Sequence, residues 1–346
     1  MHRFLPAFVL VLTAPVVAEL LAGSTPLSQP IVLAILLPLY LLLYGAGALL
    51  IRELVRRSGR GWASILLLGA AYGLIEEGFA TQSLFHPTLY HAADWGARIL
   101  GINGVFSASV LVIHAVWSAA IPILLTELLF PDRRTTPYLG RAGLVGTSIC
   151  YVLGVALLWF VAHASFAAGY EASPILPGLA VLAALALGVV ALRVLPRKAP
   201  RPRLQFNAPP PWVVLLVIGI SGLIWQASQF LWAIQPLFSD WPLVLVPLLG
   251  TLLIGGGVTW LLSRWSQAHD WGDLHLLALA SGAVMCHILI GLLAYTQTTA
   301  DRIGLIVLGL AMMGWLTWLA FHIHSRIFSQ DRSVKKREEA LPVSDS

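Results

Sequence analysis

Two adjacent carboxylates, Glu76 and Glu77, stand in the stretch from Ala70 to Phe85, which is otherwise apolar and sits in a helix long enough to cross a bilayer. A carboxylate near the middle of a membrane costs about 2.5–3.5 kcal/mol on insertion scales, so it faces protein or water and marks a candidate site. Gly69, Gly73 and Glu77 recur at helical spacing, which puts Glu77 on a stripe of small residues that a neighbouring helix can approach closely. Glu76 is turned about 100° from Glu77 on an α-helix, so the spacing predicts that only one of them aims directly at a given partner. Counted back from Pro87 at about 1.5 Å per residue, Glu76 lies about 15 Å inside its helix. His114, counted from Gly104, lies about 15 Å down the next, antiparallel span. His163 falls nearer the end of the fifth span and His287 near the middle of the ninth. Carboxylate and imidazole at one depth have two chemical uses. They can coordinate zinc, leaving an open position for an activated water and a second carboxylate as general base. Alternatively they relay protons. A structural use is also open, a Glu–His hydrogen bond that pins the third span to the fourth.

The elements that carry these residues follow from composition. Of 346 residues, 58% are hydrophobic and 11% charged, with a mean hydropathy of +0.83. A soluble chain carries about 25% charged residues, so the fold class is an all-α polytopic membrane protein. Apolar stretches near 4–22, 29–50, 62–85, 104–130, 142–168, 175–195, 211–233, 241–263, 272–297 and 303–328 predict a bundle of about ten transmembrane helices. The net charge of +5 lies in short clusters between apolar runs, a topology signal that argues against a nucleic-acid partner. Arg52, Arg56, Arg57 and Arg60 follow the second span, and Arg133, Arg134 and Arg141 follow the fourth. Arg193, Arg197, Lys198, Arg201 and Arg203 follow the sixth, Arg264 the eighth, and Arg332, Lys335, Lys336 and Arg337 the tenth. The alternation places both termini in the cytoplasm of a multi-pass protein of the cell membrane, with the lipid bilayer as its first partner.

The first span has two readings. Residues Met1–Ala18, with His2 and Arg3 before an apolar core and small residues at the end, form either a first helix or a cleaved signal peptide. The Pro-rich basic segment 196–211 is a cytoplasmic linker between a six-span unit, 1–195, that carries the Glu/His site and a four-span unit, 212–330. Residues 331–346 are expected to form a disordered cytoplasmic tail. Cys150 and Cys286 lie in apolar runs as small packing residues. His86, His91, Asp94 and Arg98 form a polar outer loop that is solvated or forms a mouth over the acidic pair. Gln226 and Gln229 share a helix face and suit interhelical hydrogen bonds. Glu127 is placed to pair with Arg133 or Arg134, and Arg52 with Glu53 forms an inner-surface cluster. His322, His324 and Arg326 lie near the inner end of the last span, where they snorkel to headgroups. No phosphate loop, dinucleotide fingerprint or nucleophile elbow occurs.

The order Glu76-Glu77, then His114, then His163, each on a transmembrane helix, resembles the CAAX-protease and bacteriocin-processing family of intramembrane metalloproteases, with its EExxxR, FxxxH and HxxxN or HxxxD motifs. Thr81 stands at the motif arginine, Val110 at the phenylalanine and Ala167 at the Asn/Asp. The resemblance implies Glu76 or Glu77 as general base, His114 and His163 with Glu76 as ligands of a Zn2+ ion, and cleavage of a membrane protein or peptide substrate. The expectation from sequence is therefore a membrane-embedded protein with a polar Glu/His site. Its function is that of a metal-dependent intramembrane peptidase, a proton-coupled secondary transporter or permease, or a non-catalytic scaffold.

Overall fold

A computed structural model describes residues 4–90, 98–197, 203–234 and 241–339. The described chain forms ten helices, here α1 Leu5–Leu20, α2 Pro30–Arg57, α3 Trp62–Ala80, α4 Gly104–Leu129 and α5 Arg141–Ala164. They continue with α6 Ile175–Val194, α7 Pro211–Ile234, α8 Leu245–Trp265, α9 Asp273–Tyr295 and α10 Thr299–Glu339. All except α1 are long and apolar enough to cross a membrane. Among the described residues, strand is confined to a short hairpin, β1 Arg98–Ile99 with β2 Ile102–Asn103, that leads into α4. Asn103 then caps that helix, its side chain accepting the Phe106 N–H at 2.9 Å and satisfying one of the unpaired amides of the first turn.

Although α1 is the shortest of these helices, it contributes to two of the buried cores. Leu10 and Ala14 join one core cluster, with Leu43, Ala48 and Val55 of α2 and Ile65 and Tyr72 of α3. Val17 joins the other, with Trp117 and Leu125 of α4, Val214 of α7, Ala280 and Val284 of α9 and Leu319 of α10. That second core draws side chains from both sides of the Pro-rich segment. The described part of the segment is held to the α8–α9 loop: the Ala208 N–H donates to Asp270 Oδ1 at 2.7 Å, which holds the Asp270 carboxyl below its ordinary value. At the other terminus, α10 runs on to Glu339, into the stretch expected from sequence to lack structure. Nothing from Gln330 to Glu339 breaks a helix, since Pro and Gly are absent there and Lys, Arg and Glu propagate one well.

The arginines of the basic loops gather at one end of the bundle, where Arg60 reaches the Arg193 carbonyl and Arg134 and Arg326 share Asp273, and they are more than loop charges. Arg52 and Glu53 pair at 3.2 Å and are fully buried. Glu127 pairs with Arg56 (2.7 Å) and Arg52 (3.2 Å) instead of with Arg133 or Arg134. Helix pairing toward the opposite end brings the candidate residues together. A Cβ at Gly69 would sit 2.6 Å from Ala115 Cα, and one at Gly73 would sit 3.0 Å from His114 Cδ2. The small stripe therefore lets α3 lie directly on α4. Gly69→Ala is expected to destabilise the protein by about 1–3 kcal/mol, the usual range for overpacking, and to push Glu77 away from His114. Thermal unfolding of the purified protein reads the first effect, and an unchanged midpoint would show slack between the helices.

Candidate functional site

The carboxylates reach His114 from both sides of its ring. Glu77 Oε1 lies 3.2 Å from Nε2, and Glu76 Oε2 lies 3.6 Å from Nδ1. The sequence expectation that only one acid could aim at a common partner is corrected here. An imidazole presents two nitrogens on opposite edges, so carboxylates diverging by a residue's rotation can each take one. Glu77 is held further by the hydroxyls of Thr81, at 3.0 Å, and Ser83, both on Oε2. Ser118 Oγ sits 3.1 Å from His114 Nδ1, so it competes with Glu76 for that nitrogen.

A third carboxylate joins through a phenol. Tyr44 Oη is hydrogen-bonded to Glu76 Oε1 and, at 2.5 Å, to Glu19 Oε1. Glu19 Oε2 in turn accepts the hydroxyl of Ser24, at 2.6 Å, where the chain turns out of α1 into the exposed loop. A phenol has one proton to give. Two hydrogen bonds between its oxygen and two carboxyl groups require two protons, so the second must reside on Glu19 or Glu76. Where both contacts are full hydrogen bonds, this line holds at least one protonated carboxyl group. Tyr44 is also stacked toward His114, with ring centroids 6.4 Å apart, and tilted against Tyr72, at 5.9 Å. Tyr72 leans on His114 in turn, at 5.5 Å. These rings pack around Glu76 and Glu77, which are buried, whereas Glu19 is half-buried. Glu76 Oε2 is buried with no hydrogen bond of normal geometry.

Local backbone geometry explains the convergence. Glu19 lies in a π-helical turn, Val16–Leu20, Tyr44 in another, Leu41–Gly45, Glu76 and Glu77 in Leu74–Ala80, and His114 and Ser118 in His114–Ala120. A π turn widens the helix, re-aims its side chains and recurs at functional sites. In the last of these turns a cause is visible: Pro122 lacks an N–H and crowds the carbonyl of Ser118, four residues before it.

The structure does not bring His163 to this group. Its Nδ1 is 2.8 Å from the Trp159 carbonyl of its own helix, and its ring stacks on Trp159 at 4.5 Å. His287 belongs to a second buried cluster, with Nδ1 3.1 Å from Gln226 Oε1 and its ring stacked on Trp117 at 5.0 Å. Gln229 bonds Ser109 across helices, and Cys286 is buried against Gln226. In the loop, His86 Nδ1 accepts the Thr88 and Leu89 N–H groups, at 3.2 and 2.9 Å. Burial, and then Arg98, hold its imidazole below the ordinary value, consistent with an acceptor role. His91 and Asp94 lie outside the described residues. Glu19 and Tyr44 were missed from sequence, although a carboxylate inside the first apolar run was there to be read.

One ligand atom each from Glu76, Glu77 and His114 can be chosen within 4.8 Å of one another, so the buried group could hold a metal ion. Carboxylate oxygen and imidazole nitrogen suit Zn2+ by donor type, and the unpaired Glu76 Oε2 is the atom readiest to bind. With His163 elsewhere, the protein's ligand set would be two carboxylates and a single imidazole.

Fold and site together define a multi-pass α-helical membrane protein with a buried Glu/Glu/His group. The chain belongs to an uncharacterized membrane protein family, whose family model matches residues 8–300. That match is to this family and not to the CAAX-protease and bacteriocin-processing family, so the resemblance drawn from the Glu and His order is left unconfirmed. No curated protein and no solved structure matches the chain.

Proposed function

We propose that this protein is a proton-coupled membrane carrier, with Glu19, Tyr44, Glu76, His114 and Glu77 as its protonation site and both termini and the arginine-rich end in the cytoplasm. One observation carries this: five ionisable side chains from four helices form a single line with one interruption. The interruption is the 3.6 Å between Glu76 Oε2 and His114 Nδ1, longer than a hydrogen bond. A small rotation of the Glu76 carboxyl closes it in competition with Ser118. A proton delivered to Nδ1 is then matched by one released from Nε2 to Glu77, because imidazole exchanges protons at both nitrogens. The line lies in the half of the bundle away from the arginine-rich end, with Ser24 at one end. Beside its other end, Gln82 lines a cleft of about 650 Å3 with Phe79, Pro174 and Leu182. Protons are therefore loaded from one side of the membrane, and coupling requires a solute that changes the access of Glu77.

The test is proton entry into proteoliposomes holding a pH-sensitive dye, under an imposed pH gradient, against a panel of solutes. Solute-dependent acidification, lost in His114→Asn, is expected. A second reading, a metal-dependent intramembrane peptidase, is favoured by the three ligand atoms within 4.8 Å and the open Glu76 Oε2. Near-stoichiometric zinc in purified protein, lost in His114→Ala and accompanied by no proton entry with any solute, would replace the carrier by the peptidase.

A further inference from the structure

At the arginine-rich end, well away from the Glu/His group, a cavity of about 170 Å3 opens between the segment after α4 and one face of α10. Leu129 and Phe130 form its apolar side, and Asp132, Arg133, His322 and Arg326 its polar side. Its guanidinium groups are incompletely matched. Arg133 donates to Thr136 Oγ1 and the Pro137 carbonyl, both at 3.1 Å, and has no carboxylate within ion-pair distance among the described residues. Arg326 shares one carboxylate with a second arginine. Asp273 Oδ2 is 2.9 Å from Arg326, and Oδ1 is 2.9 Å from Arg134. Three guanidinium groups thus face two carboxylates, Asp273 and the exposed Asp132, before His322 is considered. The excess is positive, and it sits in a recess rather than on an open face.

We propose that this recess binds the phosphate of an anionic lipid headgroup, a phosphodiester whose acyl chains run down the Leu129–Phe130 side. The volume is several times the roughly 30 Å3 share of one water, room for a tetrahedral oxyanion with its first shell. Guanidinium groups recognise such oxyanions by paired N–H donors. Basic recesses between transmembrane helices at the membrane surface are where headgroups bind. The apolar wall favours a lipid over free phosphate, because an acyl chain can lie against the part of Leu129 that the second core leaves open.

The experiment uses full-length protein in neutral detergent, stripped of lipid and titrated with phosphatidylglycerol, phosphatidylcholine or inorganic phosphate. Native mass spectrometry reads bound lipid, and thermal unfolding reads stabilisation. Phosphatidylglycerol is expected to bind saturably and raise the midpoint, phosphatidylcholine to do neither, and phosphate to have no effect in the millimolar range. Arg133→Gln should weaken phosphatidylglycerol binding by about tenfold, the loss of one charge-assisted contact. Asp132→Asn, an exposed change with little bearing on folding, should strengthen it. Equal binding of the two lipids, or an Asp132→Asn protein that binds no better than wild type, overturns the proposal. Saturation by phosphate alone reassigns the recess to the free ion and overturns the lipid.

Discussion

Arg52→Ala is expected to lower the stability of the folded protein by about 3–5 kcal/mol, the range for breaking a buried ion pair by removing one partner. Arg52 has no exposed surface. Its Nη1 lies 3.2 Å from Glu53, and its Nη2 donates to the Arg133 carbonyl at 2.8 Å and to Thr136 at 3.2 Å. The guanidinium carbon sits over the Tyr138 ring, 3.2 Å from its centroid. Its Nε is 3.2 Å from Glu127 Oε1 without the alignment of a hydrogen bond, so that contact is an ion pair only. Alanine would leave the buried Glu53 short of one cation, strip several carbonyls of a donor and open a cavity beside Tyr138. Lysine would restore the charge but neither the planar group nor the fan of donors, so Arg52→Lys should recover a minor part. Chemical unfolding in detergent measures both. An Arg52→Ala protein within about 1 kcal/mol of wild type would mean that water reaches the cluster and solvates the stranded carboxylate.

That cluster also shows how far sequence reasoning reached. Arg52 and Arg56 counted as loop charges were good enough to mark one end of every second helix, because a topology count needs only their position along the chain. Their partners were out of reach: the choice of Arg52 and Arg56 over Arg133 by Glu127 depends on how α2 packs against α4. Depth arithmetic held for His114, ten residues into α4, but not for the acids: α3 ends at Ala80 rather than running on to Pro87, so Glu76 lies four residues from its end, and the groups meet because α3 ends at the face where α4 begins. The same arithmetic could not place His163, whose depth says nothing about which way its helix turns, and it stacks on its own Trp159. Angular reasoning failed at Glu76 and Glu77 because it assumed an α-helical turn and a single-point partner, whereas the turn is π and the partner has two nitrogens. Glu19 was overlooked in a stretch that also reads as a signal peptide, and a tyrosine acquires a chemical role only when its neighbours across helices are known.

Tyr44→Phe is the sharpest test of that role. Phenylalanine keeps the ring contacts with Tyr40, Tyr72 and His114, so packing is preserved while the hydroxyl between Glu19 and Glu76 is lost. Each carboxyl group then lacks a buried partner, and leaving a polar group unsatisfied costs about 1–3 kcal/mol. The expected loss is roughly 2–3 kcal/mol, less than twice that figure because the two acids can close on one another around the remaining proton. Infrared spectroscopy in lipid reads that proton directly. The wild type at neutral pH should show the C=O stretch of a protonated carboxyl group, and Tyr44→Phe should shift it as one carboxylate replaces the phenol as its partner. Glu19→Gln or Glu76→Gln should alter or remove it, because one of the two must carry the second proton demanded by a phenol bonded to both. Proton entry should fall at least tenfold in Tyr44→Phe, a change of about 1.4 kcal/mol in the barrier, since a methine cannot pass a proton from Glu19 to Glu76. A carboxyl band indifferent to all three substitutions would mean that both acids are ionised and that the hydroxyl serves only one of them. The line of groups would then be a set of separate hydrogen bonds, and the weight would move to the metal that Glu76, Glu77 and His114 could hold.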